Sequence, residues 1–414
     1  MTETVPPAVA PDRSRVLRRV LTVLVVSQTL GGAGMAAGIT VGALLAQDLL
    51  DSTSLAGLPA ALFTGGATLG AAGLGRVCQR RGRRPGLALG HGIAALGSAG
   101  VVAGAATRSP VLLLTALFVY GAGTATGLLA RYAGADLAPP ERRGRAAGTV
   151  LFAMTLGAVA GPNLVGPTGA LAHAWGIPRL AGPFLLAAAA YAAAALVLLV
   201  WLRPDPLLLA RAQEPPGAPA GRGTGPRGQV RDAPGVVTGA TVMITAQLVM
   251  IAVMTMTPVH MIGHGHATQA AGLVIALHVG AMFLPSPLSG LLADRVGRRP
   301  VAAASGAVLL SAGLLAGLAP PSSAAVLACA LVLLGAGWNL AVISGTALIA
   351  DAAPAEHRAT VQGLADVGMS VAGATGGMAS GLVMGSGGYP ALATAAGVLA
   401  LAVIPAVALR GTPR

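Results

Sequence analysis

Two loops, each present twice at one spacing, constrain this chain most. G-R-V-C-Q-R-R-G-R-R-P at 75–85 lines up with G-L-L-A-D-R-V-G-R-R-P at 290–300, and D-L-A-P-P-E-R-R-G-R-A-A-G at 136–148 lines up with D-A-A-P-A-E-H-R-A-T-V-Q-G at 351–363. Both pairs are offset by 215 residues, so one unit occurs twice. Between these loops run apolar stretches longer than about 18 residues, the length that crosses a bilayer as a helix. The repeated unit is therefore a bundle of membrane helices, and a substrate site is expected near the midplane between the two copies.

The apolar runs predict twelve helices: about 17–46, 54–74, 86–106, 110–132, 146–170 and 180–202, then 236–262, 269–293, 301–319, 324–350, 359–384 and 390–409. The expected organisation is a disordered tail (1–16), an N-terminal six-helix half (17–202), a Pro/Gly/Arg-rich linker (203–235), a C-terminal six-helix half (236–409) and a short tail (410–414). Flexibility of the linker follows from its composition. Arg13 to Arg19 precede an apolar run that is too long for a signal peptide and lacks a cleavage site, so it reads as a retained first helix.

The net charge of +13 comes entirely from Arg. These residues concentrate on the termini, the linker and alternate loops, leaving only Arg108 and Arg179 on the other side. Such asymmetry is the positive-inside signal rather than a nucleic-acid surface, and it places both termini in the cytoplasm of a multi-pass plasma-membrane protein. Cys78 and Cys329 give no disulfide framework. With no nucleotide-binding loop and no catalytic constellation, the expectation is a transporter rather than an enzyme. It would have no resident cofactor, a small solute or metal ion and membrane lipid as partners, and a monomeric state.

The repeated loops resemble the major facilitator superfamily over nearly the whole chain. Its G-x-x-x-D-R-x-G-R-R signature is complete at Gly290, Asp294, Arg295, Gly297, Arg298 and Arg299. The first copy keeps Gly75, Arg80, Gly82, Arg83 and Arg84, but Gln79 stands where the acid is expected. The resemblance implies an all-α fold of twelve transmembrane helices in two six-helix pseudo-repeats, with these loops gating alternating access. Gln79 implies a first-half gate that is weaker or relies on hydrogen bonds. G-A-V-A-G-P-N at 157–163 resembles the Gly-Pro motif of drug–proton antiporters, and plain helix packing explains it as well.

A second feature is chemical. Residues 250–282 hold five of the 12 Met and four of the 7 His. Met250 and Met254 are i, i+4 on helix 7, and so are His278 and Met282 on helix 8. If the two helices are antiparallel neighbours, a rise of about 1.5 Å per residue sets Met254 level with His278 and Met250 level with Met282, about 12–19 Å deep. Three thioethers and an imidazole suit a soft monovalent cation such as Cu(I), whereas Zn(II) more often recruits an acid or thiolate. Core filling explains methionine at helical spacing equally well. The paired M-x-x-x-M and H-x-x-x-M resemble the signature of CcoA-like copper importers, which implies copper uptake with those four residues as ligands. The same wider group includes a riboflavin importer. Met256, His260, Met261, His264 and His266 crowd the outer end of helix 7, either as an outer capture site or as a solvated turn.

Asp366, inside helix 11, is a candidate for proton coupling or for a structural pair with an Arg. Arg131, at the end of helix 4, is either a further site candidate or simply the partner of Asp136. Gln28, Gln247, Trp338 and Asn339 are candidates to line the cavity, and His91 is a further intramembrane polar group. Copper import, uptake of a small organic molecule such as riboflavin, and drug–proton antiport all remain open at this point.

Overall fold

The computed structural model describes residues 13–50, 58–213, 234–354 and 356–408. The expected tails at 1–12 and 409–414 and most of the linker (214–233) lie outside these, as do the side chains of 36–50 and 158–163. The described residues are helical almost throughout, and nine stretches among them are long and apolar enough to cross a membrane. The last of these, Arg358–Ala408, is helices 11 and 12 merged across Gly388. Helix 2 (Leu58–Arg81) and helix 5 (Arg143–Asn163 and Val165–Ala174) complete the twelve.

Helix 1 is Arg13–Leu50, helix 3 Arg83–Ala106 and helix 6 Gly182–Trp201. Helix 4 is broken at Ala125 into Pro110–Thr124 and Thr126–Asp136. In the second half, helix 7 is Pro234–Gly263, helix 8 Thr268–Phe283 and Ser286–Arg295, helix 9 Arg298–Leu318 and helix 10 Ala324–Ala352. Residues 13–16 belong to helix 1 rather than to a disordered tail. The start of the linker is also ordered: Asp205 caps a short helix, Pro206–Ala212, by accepting from the Leu207 and Leu208 N–H groups, and also accepts from the Arg84 N–H. Large apolar side chains such as Leu96, Val111, Leu318 and Leu382 face outward along helices long and apolar enough to cross a membrane.

The two halves meet at the end that carries the Arg-rich loops. There Gly144 and Gly148 of helix 5 cross Ser286 and Gly290 of helix 8, and Ala71 and Gly75 of helix 2 cross Ala359 and Gly363 of helix 11. The second crossing is the first displaced by 215 residues, residue for residue. Small side chains let the backbones touch: a Cβ on Gly75 would stand 3.0 Å from the Gly363 Cα, and one on Gly144 2.7 Å from the Gly290 carbonyl oxygen. Each Arg-rich loop turns on a glycine at positive φ, 96° at Gly82 and 106° at Gly297, where a side chain would be strained.

Candidate functional site

The duplicated loops form two pseudo-symmetric latches between the halves. Asp294, at the end of helix 8, accepts from the Gly144 and Arg145 backbone N–H groups at 2.9 and 2.8 Å, capping the start of helix 5 in the other half. Gln79 does the same for helix 11: its Oε1 accepts from the Ala359 and Thr360 N–H groups at 2.8 and 3.2 Å. Its Nε2 also donates to the Glu356 carbonyl. Gln79 thus makes one more hydrogen bond than Asp294 and carries no charge.

Beside each latch lies an ion pair related by the same offset. Arg83 Nε binds Asp136 Oδ2 at 2.8 Å, and Arg298 Nε binds Asp351 Oδ2 at 2.9 Å. Arg83 is fully buried and also donates to Gln362 of the second half. Arg298 donates to the Pro140 carbonyl of the first half, and Arg143 pairs with Asp351 at 2.5 Å. Arg80 and Arg295 are exposed and Arg299 half-buried. Deeper in, Arg131 binds Asp366 Oδ1 at 2.6 Å and Thr346 Oγ1 at 2.8 Å, and Tyr132 donates to the same carboxylate. The Arg131–Asp136 pair does not form. Five residues apart on one helix, the two side chains point about 140° away from each other, so Asp136 meets Arg83 and Arg131 reaches across to helix 11. Gln362, Thr346 and Asp351 were missed in the sequence, although Thr346 is Arg131 displaced by 215.

The latches differ in a measurable way. Asp294→Ala is expected to weaken the closed gate more than Gln79→Ala, because a charged cap at a helix N-terminus adds a dipole interaction to its hydrogen bonds. A loss of about 1–2 kcal/mol against about 1 kcal/mol corresponds to a larger rise in the gate-open fraction. Distances between spin labels on helices 2 and 11 and on helices 5 and 8 would read it, and equal shifts would refute the ranking.

The Met/His residues are placed as follows. Met250 and Met282 are buried in one hydrophobic core cluster, with Met254 packed at its edge. His278 is fully buried and its Nδ1 lies 2.8 Å from the Leu331 carbonyl of helix 10. Asn339, also on helix 10, donates to the Met282 carbonyl and to Ser286 Oγ. Helix 8 is thus pinned along helix 10 at the two levels where the sequence spacing set it opposite helix 7. Among the described residues no group of three or more His, Cys, Asp or Glu is placed to hold a metal ion. At the outer end, His260 stacks on Tyr389 (4.3 Å, 13°) and its ring centre is 4.3 Å from that of His264. His266 Nε2 lies 2.8 Å from the Pro321 carbonyl, Met261 is buried and Met256 packs on the core. Of the expected cavity residues, the Trp338 indole donates to Gln247 Oε1 at 2.7 Å, and Phe283 packs edge-on against Trp338. In the first half, Gln28 donates to the Gly127 carbonyl, and His91 stacks on Tyr191.

Two six-helix membrane halves, joined through duplicated loops and holding a few buried polar groups, define a multi-pass membrane transporter. The model of the Major Facilitator Superfamily matches residues 21–342 and 244–414. The uncharacterized MFS-type transporter YdeG of Bacillus subtilis is 49% identical over 405 residues, covering 96% of this chain and 93% of that protein. The riboflavin transporter RfnT of Brucella anthropi is 31% identical over 353 residues, covering 84% and 85%. In fold, the proton:xylose symporter XylE superposes with a TM-score of 0.73 at 19% identity, over 94% of this chain and 95% of that one. The chain belongs to the Major Facilitator Superfamily. The narrower resemblance to copper importers finds no counterpart among these relatives.

Proposed function

We propose that this chain is an alternating-access transporter whose Arg-rich end faces the cytoplasm and which takes up a small heteroaromatic solute of the riboflavin class. The relationship to RfnT across most of both chains carries the reading. The interior supports it. The chain has only 5 Phe, 4 Tyr and 3 Trp, yet Tyr191 and Trp338 are buried beside the imidazole of helix 3 and the amide of helix 7, and Phe283 packs on Trp338. Aromatic faces with a few polar groups suit a flat ring bearing hydrogen-bonding edges.

One observation favours copper as a second reading. A carbonyl oxygen only accepts, so the contact with Leu331 puts the proton of a neutral His278 on Nδ1 and leaves Nε2 as a buried lone pair without a partner. That is how a metal-ligating imidazole is commonly held, and Met282 follows one turn later. Met250 and Met254 would complete the ligand set, with His260, His264 and His266 collecting the ion outside.

Both solutes can be measured in one host that imports neither. Riboflavin uptake and cellular copper, the latter by elemental analysis, are compared for the intact chain and His278→Leu. The first reading expects at least tenfold riboflavin uptake over empty cells and no copper change. Copper accumulation by the intact chain that His278→Leu abolishes would replace it with the second. No change in either solute sinks both.

A further inference from the structure

The first half contains a cavity that neither the gate nor the Met/His stretch uses. It is lined by Gln28, Gly31, His91, Gly127, Met154 and Tyr191, among others, and its volume of ≈ 10 Å³ is about that of one water. Gln28 and His91 are each 1% exposed. The Gln28 amide nitrogen is taken by the Gly127 carbonyl at 2.7 Å, but its Oε1 has no partner, and neither does either nitrogen of His91. Tyr191 covers one face of the imidazole at 5.6 Å. The glycine walls keep the space open: a Cβ on Gly31 would lie 2.9 Å from His91 Cε1.

The unmet groups define a ligand. A neutral imidazole offers one N–H and one lone pair, and Gln28 Oε1 offers an acceptor. Buried polar groups left unmet are costly, so whatever occupies the cavity must present donors beside an acceptor. A single water, the occupant that a cavity of this size admits, would meet both needs. A solute can do it with an imide edge, N–H flanked by C=O, which the riboflavin ring carries.

We propose that this cavity is the subsite that reads the polar edge of the transported ring. Gln28 accepts from the ring N–H and His91 donates to the neighbouring carbonyl, the water leaving as helix 1 moves. This rests on the flavin reading above.

The test compares riboflavin with 3-methylriboflavin, whose imide N–H is blocked, as competitors of riboflavin uptake by the full chain in cells. The methyl analogue should compete about tenfold more weakly, the value of roughly one hydrogen bond. Gln28→Leu and His91→Phe, matched for membrane abundance, should raise the riboflavin KM with little change in maximal rate and cut the discrimination to about twofold or less. His91→Phe keeps a ring against Tyr191. Equal competition by the analogue on the intact chain, or full discrimination retained by both variants, overturns the subsite and leaves only a structural water, while the flavin reading stands. Absence of riboflavin uptake by the intact chain overturns both.

Discussion

Asp366→Ala is expected to abolish transport and to lower the stability of the purified protein by about 3–5 kcal/mol. Arg131 would stay buried with the Thr346 hydroxyl, the Leu128 carbonyl and the Tyr132 hydroxyl but no counter-charge. A buried cation that loses its anion is far more costly than a pair removed whole. Arg131→Leu combined with Asp366→Leu should therefore recover most of the stability lost in the single variant, a non-additivity that denaturant unfolding in detergent can read. The pair joins helix 4 to helix 11, so it must part whenever the Arg-rich end opens. Asp366→Asn separates the two roles open for this acid: a proton-coupling carboxylate predicts uptake that loses its pH dependence, whereas a latch predicts reduced uptake with the pH profile kept. A stable, fully active Asp366→Ala protein would remove the pair from the mechanism.

Gly290→Leu is expected to hold the transporter open at its Arg-rich end. Any Cβ at this position meets the Gly144 carbonyl and the Arg145 Cα of the opposite half. Within a single core, overpacking of this kind costs about 1–3 kcal/mol and distorts the fold. Here the halves can separate instead, so the cost appears as a shift of the gate equilibrium by roughly 10–100-fold. Solute uptake should fall by a similar factor while the folded fraction stays near that of the parent. Spin labels at Arg81→Cys and His357→Cys, on either side of the gate, should report a longer distance in the variant. Gly75→Leu, the pseudo-symmetric change, should behave alike, since a Cβ there would stand 3.0 Å from the Gly363 Cα and 3.2 Å from the Ala359 carbonyl. An unchanged label distance would show that these crossings do not control the gate.

The gate and the Met/His stretch differ in how far the sequence reaches. Each gate contact joins a loop to a helix start that recurs 215 residues later, so duplication alone pairs Gln79 with Asp294 and Arg83 with Arg298. Pairing His278 with Met254 instead required knowing which neighbour helix 8 faces.

By itself the sequence determined the number of spans, their duplication, the end at which Arg gathers and the loops through which the halves meet. Apolar length fixes what can cross a bilayer, and an Arg-rich loop with an obligatory positive-φ glycine has few other uses. Only the tertiary structure decided partners. Periodicity puts His278 and Met282 on one face but not which helix that face meets, and packing turned the His278 imidazole to the Leu331 carbonyl of helix 10. Likewise Arg131 and Asp136 are close in sequence yet far apart in angle, so each found its counter-charge or acceptor on another helix, where burial leaves water no share in the pairing.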